Sequence, residues 1–263
     1  MSWSNQVSAV IRLEVFKWTK QKSSKIILGV FAVSLALLIA VFWLGATRLN
    51  LMALSTRQLM AASLSWTMSM LLPFAAVYLT ASSFQKEFTQ GTIKNLLLLP
   101  ITRSALYWGK VSGVAVAMGA MLLVQFVISG VFSLVVAVMS QGFTQIAFAN
   151  FTGGALDAIL RFGGAAAILG LIILVSSGVA LTLKNMGLVL LLSYLGYMGM
   201  GLLGFWIPRF SLISIVSVIG DYSNILRQIS ISQLFVLIAY YTIGACVGYF
   251  LFEKKEAMVC PFE

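Results

Sequence analysis

The residues with chemical potential are few, and most of them fall in one stretch. Gln85-Lys86-Glu87-Phe88-Thr89-Gln90-Gly91-Thr92-Ile93-Lys94-Asn95-Leu96-Leu97-Leu98-Leu99-Pro100-Ile101-Thr102-Arg103 is followed by Gly109-Lys110. Gly91 permits a sharp turn, and Thr92 can cap a short helix. Pro100 disfavours helix at Leu99, which leaves that helix only about two turns. Thr102 can then cap the helix that follows. The product is a helix–turn–helix elbow over 85–110, with apolar Ile93, Leu96 and Leu97 beside polar Lys94 and Asn95. An exposed apolar face of this kind needs a partner, in the same chain or another. Gly109-Lys110 does not make a phosphate loop. Such a loop needs a glycine five residues before the Gly-Lys and Ser or Thr after it, and those positions hold Ser104 and Val111.

Other chemistry is excluded by what the chain lacks. It has no histidine, which removes His-based catalysis and the common zinc sites. Cys246 and Cys260 have no plausible disulfide partner. The deepest polar side chains in the apolar runs are Gln125, Thr67 and several serines, none of which titrates. Asp157 and Arg161, at helical i,i+4 spacing, are expected as a surface pair at an outer end. An ion-coupled carrier places titratable groups near the bilayer midplane, so an ATPase-independent transporter or channel is the weaker alternative. An intramembrane enzyme is weaker still.

The elements that must hold the elbow follow from hydropathy. Of 263 residues, 60% are hydrophobic and 9% charged. A membrane span needs roughly 20 apolar residues. Six such runs are expected, at about 26–45, 59–84, 107–139, 162–183, 186–207 and 232–252, and they use nearly the whole chain as a single domain, 1–263. The run at 26–45 is too long for a signal peptide and reads as the first span. The charges sit almost entirely in the connections. Pro73 should kink the second span, and the third is long enough to tilt or to extend into the cytoplasm.

Residues 1–22 predict an amphipathic interfacial helix, with Trp3, Val7, Ile11, Val15 and Trp18 at three- and four-residue spacing. Residues 208–231 contain an apolar run too short to cross and predict a semi-buried, re-entrant or capping outer segment. With the N-terminus inside, twelve of the 17 Lys and Arg residues are cytoplasmic and five are outside, so both termini are expected in the cytoplasm. The net charge of +10 therefore reads as orientation and headgroup contact, with no nucleic acid implied. Gly244 and Gly248, Gly163 and Ala167, and Gly196, Gly199, Gly201 and Gly204 predict close helix contacts, mostly within the chain.

The pattern Glu-x-x-x-Gly-Thr-Ile-x-x-Leu-Leu-x-x-Pro-Ile-Thr-Arg, with Gly-Lys shortly after, resembles the signature of ABC-2 type ABC transporter permeases. The specific part covers about Glu87–Lys110, and the general plan covers the chain. The resemblance implies an all-α integral membrane fold with six transmembrane helices, an interfacial N-terminal helix, and the elbow on the cytoplasmic side between helices 2 and 3. It implies that Glu87, Gly91, Thr92, Pro100, Arg103 and Lys110, with the apolar Ile93, Leu96 and Leu97, couple the chain to an ATPase. Charge orientation alone accounts for the lysines and arginine but not for the Gly-Thr and Pro spacing. The chain itself is expected to bind no cofactor; ATP and Mg belong to a separate cytoplasmic ABC ATPase subunit. Further expectations are a second permease copy or related permease, contact with membrane lipid, and location in a bacterial plasma membrane. Compact permeases of this type resemble those for bacitracin, lantibiotic or other peptide-antibiotic efflux, which implies an amphipathic or hydrophobic cargo.

Overall fold

In the computed structural model the described residues are 2–48, 56–89, 101–141, 145–183, 185–206 and 231–259. Eight helices account for nearly all of them: α1 (Trp3–Lys20), α2 (Lys22–Arg48), α3 (Thr56–Ser69), α4 (Leu71–Thr89), α5 (Arg103–Gln141), α6 (Gln145–Thr182), α7 (Met186–Trp206) and α8 (Ile231–Val259). No strand occurs among the described residues. Three stretches are apolar and long enough to cross a bilayer: Ser24–Val41 in α2, Arg103–Val135 in α5 and Arg161–Thr182 in α6. Met60–Ser69 with Leu71–Gln85 makes a fourth if the bent pair is one span. The expected fifth and sixth spans coincide with α7 and α8. The outer segment expected at 208–231 lies outside the described residues, apart from the first residue of α8.

The kink expected in the second span is present as a 46° bend at Met70 between α3 and α4. Pro73 has no N–H, and its ring clashes with the carbonyl four residues back, which is that of Ser69. The neighbouring Met68 carbonyl accepts a hydrogen bond from the Tyr197 hydroxyl of α7 at 2.9 Å. The bend is thus closed by a side chain from another helix.

The third span is longer than a bilayer is thick, as expected. α5 has 39 residues, about 58 Å at 1.5 Å per residue, against about 30 Å of hydrocarbon. Its first two turns carry Arg103 to Lys110. α6 is the central helix, packing against α3, α4, α5, α7 and α8. It starts earlier than the expected 162–183 and includes Arg161, which is only 2% exposed. The expected surface pair is therefore corrected: Arg161 is an interior residue, and the side chain of Asp157 lies outside the described residues. A charge inside a helix that the hydropathy pattern truncated at residue 162 was hidden by trimming the span to its apolar part.

Gln125 and Thr67 do meet in the interior. Gln125 Nε2 donates to the Ser63 carbonyl at 3.0 Å and to Thr67 Oγ1 at 2.6 Å, joining α5 to α3. Small residues divide into two groups. A Cβ on Gly244 would stand 3.4 Å from Leu174 Cβ, and one on Gly248 would run into the Tyr107 hydroxyl and stand 3.2 Å from Ser177 Oγ. These two glycines let α8 approach α6 and α5 closely. By contrast, Gly163, Gly196 and Gly199 meet nothing within 4 Å among the described residues, so the contacts expected there are not made by those residues.

This difference makes a direct prediction. Gly248→Ala should destabilise the detergent-solubilised protein by about 1–3 kcal/mol, the usual cost of overpacking. Gly199→Ala, which meets nothing among the described residues, should leave the unfolding temperature within error.

Candidate functional site

At one end of the bundle, α1 crosses the end of α4 and the beginning of α5. The approach of α1 to α5 is close because α5 presents Gly109 and Gly113, four residues apart, to Val10 and Glu14, also four apart. A Cβ on Gly109 would stand 2.5 Å from Val10 Cβ, and one on Gly113 would stand 2.9 Å from Glu14 Cβ. This is the small-xxx-small geometry by which helices pack backbone to backbone. It corrects the expected face of α1. The buried stripe is Gln6, Val10, Glu14 and Trp18, with Val7, Ile11 and Val15 at its margins and Trp3 exposed. Two polar residues can occupy that stripe because each finds partners inside.

Lys110, one residue after Gly109, is the centre of those partners. Its Nζ lies 3.1 Å from Glu14 Oε1 and 2.5 Å from Glu87 Oε2, and it donates to the Ser83 carbonyl at 3.0 Å. The Ser83 hydroxyl donates to Glu14 Oε2 at 3.0 Å. Lys17 pairs with Glu87 Oε1 and lies 3.4 Å from Glu14 Oε1. Among the described residues, two carboxylates and two ammonium groups thus share one site. The Lys110 and Glu14 side chains are 1% and 2% exposed, whereas Lys17 is 34% exposed.

The surroundings are aromatic. Lys110 Nζ is 5.7 Å from the centre of the Phe84 ring. Phe84 packs against Tyr107 and Phe252 at centroid distances of 5.9 and 6.2 Å. The Tyr107 hydroxyl is 3.1 Å from Ser177 Oγ in α6. The charged site therefore rests on rings supplied by α4, α5 and α8.

A second tether stands nearer the start of α1. Gln6 Oε1 accepts from the Thr102 backbone N–H at 3.1 Å and the Thr102 hydroxyl at 3.0 Å. Thr102 Oγ1 also receives the Ala105 N–H at 3.4 Å, so Thr102 caps α5 as expected. At the end of α4, Gln85 Nε2 donates to the Leu183 carbonyl at 2.9 Å, which ties in the end of α6.

Of the residues expected to act together, Glu87 and Lys110 are brought into direct contact. Arg103 is half-buried at the first position of α5. Gly91, Thr92, Ile93, Leu96, Leu97 and Pro100 lie outside the described residues. Sequence reasoning missed Gln6, Glu14, Lys17, Ser83 and Gly113. One signal was available: Glu14 is the sole acidic residue before Glu87 in a strongly basic N-terminal region. Its i,i+4 stripe with Val10 also matches Gly109 and Gly113. Beside Gln125, Thr67 and the serines expected as the deepest polar side chains, the fold buries four ionisable groups that were not expected inside: Glu14, Glu87, Lys110 and Arg161. No group of three or more His, Cys, Asp or Glu side chains suited to a metal occurs among the described residues.

Residues 10–190 match the model of the family described as ABC-2 family transporter protein, more than two thirds of the chain. The chain belongs to the ABC-2 family. A search of curated proteins found no match. The molecule is accordingly an all-α, multi-pass integral membrane protein, a permease of an ABC transporter. The matched stretch of this ABC-2 permease contains Glu14, Glu87 and Lys110 together.

The electrostatics set a pH window. Burial pushes the Glu87 carboxyl up, but Lys110 and Lys17 outweigh it and hold the group below its ordinary value of 4.5. Burial pushes Lys17 down, but Glu87 and Glu14 outweigh it and raise the ammonium above 10.5. The depressed carboxyl contributes stability above its unfolded pKa, lost as pH falls through the folded one. The raised ammonium contributes below its unfolded pKa, lost as pH rises through the folded one. Unfolding stability should therefore be level between about pH 5.5 and 9.5 and decline beyond either side. Lys110→Met removes the ammonium that pairs with both buried carboxylates, and should lower that plateau by about 3–5 kcal/mol. A pH series of denaturation in detergent, wild type beside variant, reads both.

Proposed function

We propose that this permease is the membrane-spanning subunit of an ATP-driven exporter whose ATP is hydrolysed by a separate cytoplasmic ABC ATPase. The segment 85–110 is the contact through which that subunit drives it. The observation that carries the reading is the convergence of α1, α4 and α5 on an ionic site whose Glu87 and Lys110 flank residues 90–100 in sequence, in a chain of this family. In this reading Gly91, Thr92, Ile93, Leu96, Leu97, Pro100 and Arg103 meet the ATPase, and Glu87 and Lys110 hold the segment in place. Lys110 is enclosed by carboxylates and a carbonyl oxygen, an environment suited to an ammonium and hostile to a phosphate. In this reading ATP and Mg belong to the partner.

In the same reading the positive charges orient both termini toward the cytoplasm of a bacterial cell. α1 then lies along the inner interface. Its outward Trp3, Leu13 and Phe16 are 53%, 40% and 62% exposed, with Arg12 and Lys20 exposed beside them, a composition that favours the headgroup boundary. A second permease copy or a related permease completes the path, and the cargo is amphipathic or hydrophobic, such as a peptide antibiotic.

Mild purification from the native membrane should bring a nucleotide-binding polypeptide with the chain. Gly91→Leu should stay in the membrane yet abolish ATP-dependent export. Solute pumping by the chain alone in liposomes, driven by a proton or sodium gradient, would contradict the proposal.

A further inference from the structure

We infer that Gln6, Glu14 and Lys17 of α1 are positioning residues for the ATPase-coupling segment. In this inference, which rests on the function proposed above, α1 is a brace that fixes both chain ends leading into and out of that segment. The incoming end is Glu87, held by Lys17 and, through Lys110, by Glu14. The outgoing end is Thr102, held by Gln6. Gln6 and Lys17 are separated by eleven residues of one helix, about 16 Å at 1.5 Å per residue. One rigid element therefore spans the distance between the two tethers.

The chemistry of the node supports a positioning role over a merely adhesive one. The Lys110 ammonium donates to Glu14 of α1 and to the Ser83 carbonyl of α4 and is ion-paired with Glu87 of α4. A set of directed bonds fixes the relative placement of three helices, whereas an apolar contact of the same area tolerates sliding. Stability alone would favour apolar residues here, because burying charge costs more than a hydrophobic replacement of similar volume. Glu14 and Lys110 are almost fully enclosed, so they act through the helices they join. Within this inference α1 and the adjoining ends of α4 and α5 move as one body when the ATPase turns over.

The test uses the full-length chain co-produced with its ATPase in native membranes. The double variant Glu14→Gln with Lys110→Met removes one charge of each sign and keeps the Glu87–Lys17 pair. It should insert and unfold close to the wild-type temperature, because both partners of a buried pair are replaced together. Export per ATP hydrolysed should fall by at least about fivefold, the scale of an ordinary coupling between sites. Gln6→Ala, a milder change at the other tether, should lower the same ratio by about two- to threefold while Thr102 still caps α5. Variants that insert, retain the ATPase and export with the wild-type ratio would overturn the brace. A wild-type chain that retains no ATPase overturns the proposed function itself, and the two failures are read from different samples.

Discussion

Everything at the functional end of this molecule depends on giving the Lys110 ammonium enough oxygen. A lysine on the second turn of a long apolar helix, packed between other helices, is costly unless its charge and donors are met. Glu14, Glu87 and the Ser83 carbonyl meet them, and the Ser83 hydroxyl in turn orients Glu14. Satisfying one side chain thus requires α1 against α5, the last turns of α4 beside both, and the correct rotation of each. Misplacing any of the three would strand a charge.

The glycines make that solution reachable. Gly109 and Gly113 remove the two side chains that would hold α1 away, which brings the Glu14 carboxylate within bonding distance of Lys110. On the other flank, Gly248 admits Tyr107, whose ring belongs to the aromatic support under Phe84. The Pro73 bend directs the chain from α3 into α4, whose end carries Ser83 and Glu87. Features spread over most of the chain thereby converge on a site a few residues across. In a bilayer, where apolar surfaces gain little by meeting one another, such small-residue contacts and satisfied polar groups decide how helices are placed.

Much of this was legible in the order of residues. Hydropathy marked the long helices, Pro73 the bend, Thr102 the start of α5, and Gln125 and Thr67 as deep polar side chains, though not their contact. These are local properties, or follow from depth along one helix. The ionic site was not legible, because Glu14 meets a lysine 96 positions away. Neither residue announces the other. The apolar residues of α1 drew the wrong face for a similar reason: an interfacial helix has two apolar environments available, lipid and protein, and periodicity does not distinguish them. Arg161 was misplaced because an apolar window ends at the first charge, while a helix does not. The residues of 90–100 rest on the sequence pattern alone.

The most direct measurement of the central claim is amide hydrogen exchange of the wild-type protein in lipid nanodiscs at neutral pH. If the ionic site locks α1 to the bundle, amides from Val10 to Lys20 will exchange as slowly as those at the end of α4 and the start of α5, and the three segments will open together. An α1 that exchanges quickly and independently, while those two segments stay protected, would contradict the account.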